Sequence, residues 1–137
     1  MNAEHTVETA EPTNIVIFGA TGDLTKRKLM PALVRMLDCD LVHKDSRIIG
    51  LTHNRTEEEW LDLIHEGLKR FSDEIAVDES KWIDLKSRLK MVAGDLGDAE
   101  TYNTLADSLE TLGGNKNAMF YCAIPPGWYA TVAQGLH

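Results

Sequence analysis

Asn14-Ile15-Val16-Ile17-Phe18-Gly19-Ala20-Thr21-Gly22-Asp23-Leu24-Thr25-Lys26-Arg27-Lys28 reads as a strand that runs into a glycine-rich turn and then opens a helix. Ile15 to Phe18 form an unbroken apolar run, the composition of an inner parallel strand covered on both faces. Gly19 and Gly22 let the backbone turn tightly and approach a ligand closely, while the following helix turns its free N–H groups and positive dipole end toward an anion. At a first strand-to-helix junction the anion served in this way is the pyrophosphate of a dinucleotide. The spacing is GxxGxxT, not GxGxxG, and Thr25 stands where close helix-on-strand packing takes Gly or Ala. Taken alone, the pattern leaves a plain strand-to-helix turn as the competing reading.

Working outward, strands and helices alternate. The first helix is expected from Asp23 to about Leu37, with Leu24, Met30, Leu33, Met36 and Leu37 as its apolar stripe and a kink between Arg27 and Pro31. Ser46 to Leu51 makes a second strand. Thr56 and Glu59 form a capping box before a helix in which Trp60, Ile64, Leu68 and Phe71 repeat at helical spacing. Trp82, Leu85 and Leu89 indicate a further helix after the polar stretch Ser72 to Ser80, and core packing is the expected role of Trp60 and Trp82.

Leu89 to Ala93 follows as a third strand. Asp98 caps a helix carrying Tyr102, Leu105, Leu109 and Leu112 inward, stopped at Gly113-Gly114. Ala118 to Ile124 is a fourth strand, ended by Pro125-Pro126, and Trp128 to Leu136 is a last helix. This order predicts an α/β fold, a Rossmann-like doubly wound parallel sheet, with ligands outside the carboxyl ends of the strands. Residues 1–13 are expected to be a disordered tail and 14–137 a dinucleotide-binding domain.

The 137 residues suit one domain, with 43% hydrophobic and 26% charged residues, as in a soluble globular protein. A formal net charge of −8 argues against a nucleic-acid partner. No stretch is long and apolar enough to span a bilayer, and the N-terminus lacks the features of a secretory signal, so no membrane association and a cytoplasmic location are expected. Cys39 and Cys122 read as reduced thiols, Cys122 as a core residue. The five histidines show no metal-ligand spacing, and no nucleophile elbow is present. Lys26-Arg27-Lys28 reads equally as a solvated helix face or as cations converging on an anionic ligand beside the glycine turn.

At the end of the second strand, where NAD-selective sites carry an acidic residue for the ribose hydroxyls, the chain reads Thr52-His53-Asn54-Arg55. Donors and a cation in place of a carboxylate favour a 2′-phosphate and hence NADP, with Arg55 as a plain solvated residue the alternative.

Gly19-Ala-Thr-Gly-Asp-Leu-Thr-Lys-Arg-Lys-Leu-Met-Pro31 resembles the N-terminal signature of glucose-6-phosphate dehydrogenases. Arg47-Ile-Ile-Gly50, Gly94-Asp95-Leu96 and Met119-Phe-Tyr-Cys-Ala-Ile-Pro-Pro126 with Tyr129 are similar to later landmarks of that family, in the same order. The resemblance implies that Gly19, Thr21, Gly22, Asp23 and Leu24 bind the pyrophosphate of NADP, with NAD as a second option. It implies that Lys28 helps hold substrate, that Asp95 and Leu96 lie near the adenosine, and that Ala123, Pro125, Pro126 and Tyr129 lie near the nicotinamide half. The family's 2′-phosphate arginine aligns with His53, and Arg55 is two residues away. One of the two prolines is a candidate for a preceding cis bond.

In the family, hydride passes from C1 of glucose 6-phosphate to the nicotinamide of NADP, the first step of the pentose phosphate pathway. A histidine of a second α+β domain is the general base. That domain's Glu-Lys-Pro-Phe-Gly and Arg-Ile-Asp-His-Tyr segments are absent from these 137 residues, as are the family's oligomer contacts. The expectation is therefore a coenzyme-binding domain that has no catalytic residue of its own and meets glucose 6-phosphate only together with that second domain. A stand-alone NAD(P)-sensing regulatory module is the alternative. An epimerase-like reductase is disfavoured because Tyr102, Tyr121 and Tyr129 all lack a lysine four residues on.

Overall fold

The computed structural model describes residues 13–22, 24–39, 41–43, 45–53, 55–71, 79–112, 117–124 and 126–136. Its centre is a parallel sheet of four strands in the order β3-β2-β1-β4, where β1 is Thr13–Phe18, β2 Ile48–Thr52, β3 Leu89–Ala93 and β4 Asn117–Cys122. β1 begins one residue ahead of the expected boundary at 14, and residues 1–12 lie outside the described set, as does the Gly113-Gly114 stop.

Side chains alternate across a strand, so β1 feeds two cores at once. Ile15 and Ile17 point to one face and pack with Met30, Leu33 and Val34 of α1 (Met30–Asp38), Trp60, Ile64 and Leu68 of α2 (Glu57–Phe71), and Trp82 and Leu85 of α3 (Glu79–Arg88). Val16 and Phe18 point to the other face and meet Leu105 of α4 (Ala99–Thr111) and Val132 of α5 (Tyr129–Leu136). The sheet is thus doubly wound. The Phe71 side chain lies outside the described set.

Both predicted helix caps form. Thr56 N–H donates to Glu59 Oε1 and Glu59 N–H to Thr56 Oγ1, each at 3.1 Å, and Asp98 Oδ1 accepts from Glu100 N–H at 3.0 Å. The expected kink takes a specific form: Thr25–Leu29 is a turn of π-helix, in which Met30 N–H reaches back to Thr25 O. Pro31, in the first turn of α1, has no N–H to give, and the wider turn accommodates the missing donor.

Three expectations about burial are corrected. Leu24 and Met36, assigned to the inner stripe of the first helix, are exposed, because the π-turn shifts the register of residues before Met30 and Met36 sits at the margin of the covered face. Cys122, expected in the core, is exposed, and so are Met119 (51%) and Phe120 (40%) on the same strand. Among the described residues β4 pairs with β1 alone and forms an edge of the sheet, so its apolar composition is not matched by cover on its faces.

Candidate functional site

β1 connects to β2 on one side, while the chain crosses from β3 back over the sheet to place β4 on the other side of β1. The strand order therefore reverses between β1 and β4, and the crevice at the carboxyl ends there is the expected ligand position. A cleft of about 240 Å³ lies at these ends, lined by Gly19, Thr21, Leu51, Thr52, His53, Gly94, Asp95, Leu96, Ile124 and Trp128. Its volume suits one nucleoside-sized part of a ligand, since whole drug-sized pockets run to roughly 300–1,000 Å³.

The glycine turn forms one wall. Gly19 has φ +85°, and a Cβ there would overlap the Ala123 carbonyl oxygen, so the position demands glycine twice over. Gly22 N–H closes the turn onto Gly19 O at 3.0 Å. Thr25, unexpected at its position, is fully buried and donates its hydroxyl to the same carbonyl at 2.8 Å. It serves as a clasp where a smaller residue would leave the oxygen less well satisfied. Asp23 lies outside the described set, and Leu24 faces solvent.

The opposite wall is the loop after β3. Asp95 turns a carboxylate oxygen back onto Gly97 N–H at 2.8 Å, and its carbonyl accepts from Thr101 Oγ1 at 2.7 Å. Leu96 O accepts from the Tyr102 hydroxyl at 2.7 Å. Burial pushes the Tyr102 hydroxyl above the ordinary tyrosine range, with Cys122 and Asp95 acting in the same direction.

Between these walls stand Thr52 and His53. Thr52 Oγ1 is a buried hydroxyl without a hydrogen-bond partner among the described residues. His53, directly after β2, lines the cleft, and no carboxylate occupies that position.

Of the residues predicted from sequence, the structure gathers Gly19, Thr21, His53, Asp95 and Leu96 around one cleft, with Gly22 and Ala123 bracing Gly19 from behind. Arg55, Lys28 and Tyr129 are exposed and do not line it, although Trp128, next to Tyr129, does. Pro126 opens a short 3-10 turn over Pro126–Trp128, and Pro125 lies outside the described set. Lys26 packs instead against Gly67 of α2, beside Lys69 and Arg70. Thr52 belongs to the donor run read after β2 and Ile124 to the Ala123–Pro126 segment, so the lining residues to which sequence reading gave no role are Leu51, Gly94 and Trp128. Their signal was positional: each lies at or just beyond the carboxyl end of a strand.

A family model described as the glucose-6-phosphate dehydrogenase NAD-binding domain matches residues 16–137. Glucose-6-phosphate 1-dehydrogenase of Dickeya dadantii is 32% identical over 93% of this chain, and that of Buchnera aphidicola subsp. Schizaphis graminum 33% identical over 95%. This chain spans 26% of the length of each. The crystal structure of glucose-6-phosphate 1-dehydrogenase from Mycobacterium avium superposes with a TM-score of 0.82 at 28% identity, over 93% of this chain and 26% of that one. A glucose-6-phosphate dehydrogenase in complex with its substrate glucose-6-phosphate superposes at 0.81 with 27% identity, over 96% and 28%. With a sheet, a glycine turn and a family match that agree over nearly the whole chain, the protein belongs to the glucose-6-phosphate dehydrogenase NAD-binding-domain family.

Proposed function

We propose that residues 14–137 are a coenzyme-binding domain that takes NADP, with NAD as the weaker ligand, and that these residues by themselves do not turn over substrate. The observation that carries the reading is the cleft across the carboxyl ends of β1, β2 and β3, walled by the Gly19 turn and by Asp95-Leu96 and free of a carboxylate after β2. In this reading the glycine turn, with Gly19, Thr21, Gly22, Asp23 and Leu24, meets the pyrophosphate. Asp95 and Leu96 flank the adenosine, and His53, with Arg55 reaching from the entry of α2, meets the 2′-phosphate. Ala123, Pro125, Pro126 and Tyr129 border the nicotinamide half.

When bound, the nicotinamide supplies a hydride acceptor. The chain's own residues contribute position and a shielded wall, and Lys28, exposed on the π-turn, is the substrate-side cation. A base for the sugar hydroxyl comes, in this proposal, from the part of the family enzymes that these residues do not match. Apolar exposure along β4 supports a domain that docks against further protein better than it supports a self-contained regulatory module.

Titration calorimetry of the purified chain with NADP and NAD tests the reading, alongside a dehydrogenase assay with glucose 6-phosphate. NADP binding without reduced coenzyme forming is expected, with affinity falling in His53→Ala and Arg55→Ala for NADP more than for NAD. Turnover by these residues alone, or tighter binding of NAD than of NADP, would overturn it.

A further inference from the structure

Trp60 is fully buried on α2, and its indole Nε1–H donates to the carbonyl oxygen of Ala20 at 3.1 Å, inside the glycine turn and 40 residues away in sequence. The ring lies against Gly50 of β2 so closely that a Cβ at Gly50 would overlap it, and that Cβ would also come within 2.9 Å of the Ala20 Cβ. β2 therefore gives up a side chain to let the indole reach the turn. Any large apolar residue would fill this part of the core, but only one with a donor on the ring satisfies the buried carbonyl.

The C=O and N–H of a trans peptide point to opposite sides, and every peptide bond among the described residues is trans. With Ala20 O held toward the indole, the N–H of the same peptide unit, that of Thr21, is turned away from the core, and Thr21 lines the cleft. Gly19 O is held inward as well, by Thr25 Oγ1 at 2.8 Å and Gly22 N–H at 3.0 Å. Both carbonyls that would repel an anion are thereby occupied within the protein.

We infer that Trp60 is a positioning residue for the coenzyme pyrophosphate: through its bond to Ala20 O it fixes the Ala20-Thr21 peptide with the Thr21 N–H presented to the phosphate. The inference rests on the coenzyme reading above. It assigns to α2 a part in anion binding that the glycine turn alone does not explain.

The test compares two ligands by calorimetry, NADP and adenosine 2′-monophosphate, which carries the ribose phosphate but no pyrophosphate. Trp60→Phe keeps an aromatic core and removes the donor, and should weaken NADP about 5- to 10-fold, the scale of one lost hydrogen bond. Adenosine 2′-monophosphate should change by less than about 2-fold, and the Thr21 amide resonance should lose its response to NADP. Benzothienylalanine at position 60 alone, which keeps the bicycle and replaces the N–H by sulfur, should give the same split and covers the case in which Trp60→Phe fails to fold. Equal losses for the two ligands, or no loss for either, would overturn the inference while leaving the coenzyme reading intact. A native chain that binds neither ligand would refute the coenzyme reading and this inference with it.

Discussion

Gly19→Ala is the substitution for which the structure sets the largest and most specific penalty. The residue has φ +85°, a conformation that costs an L-residue about 1–2 kcal/mol. Its new Cβ would overlap the carbonyl oxygen of Ala123, which is backbone and has no rotamer by which to withdraw. Relief requires the ends of β1 and β4 to part, which weakens the bond from Ala123 N–H to Phe18 O, now 2.8 Å, worth about 1 kcal/mol. The sum is about 2–3 kcal/mol, a large share of the roughly 5–15 kcal/mol that stabilises a domain.

Urea denaturation followed by far-ultraviolet circular dichroism measures this. With a slope of about 1.5 kcal/mol per molar, the midpoint should fall by about 1.3–2 M. Gly127→Ala is the control: nothing lies within 4 Å of the Cβ it would add, and its stability should stay within about 0.5 kcal/mol of the native chain. A Gly19→Ala midpoint equal to that of the native protein, or a greater loss at Gly127, would refute the account of the turn.

Two further outcomes are expected. Hydrogen bonds to the Thr56 backbone and hydroxyl hold the Glu59 carboxyl below its ordinary value, so its contribution is present at neutral pH and is lost as the pH falls through its lowered folded value. The gap in urea midpoint between the native chain and Glu59→Gln should therefore close as the pH falls from the ordinary glutamate range through the lowered folded value, and a gap independent of pH would contradict the capping box. Cys39 and Cys122 are both exposed, so a disulfide reagent should titrate both thiols in the folded protein, whereas protection of Cys122 until unfolding would show that β4 is covered.

Much of the fold was legible because it depends on local pattern. The capping box at Thr56, the Asp98 cap and the limits of β3 are set by residues within a few positions of one another, and each forms as read. The glycine turn was legible for the same reason, and Gly19, Thr21, His53, Asp95 and Leu96 converge because the strands that carry them are parallel neighbours. Thr25 was harder to read. Its hydroxyl has a purpose only once Gly19 O is turned toward it. The exposure of Cys122, Met119 and Phe120 could not be read from composition, because an apolar strand has the same residues whether it is central or at an edge.

The sequence by itself determined the alternation of strands and helices, the place of the glycine turn, and a basic rather than acidic end to β2. These follow from periodicity, capping chemistry and the conformational freedom of glycine, all of which act over a few residues. Tertiary structure alone decided that Gly19 is locked by Ala123, that Trp60 reaches Ala20 O through the gap at Gly50, and that His53 lines the cleft while Arg55 does not. Those relations join residues far apart in the chain, and only the packing of the sheet and its helices brings them within van der Waals and hydrogen-bond distance.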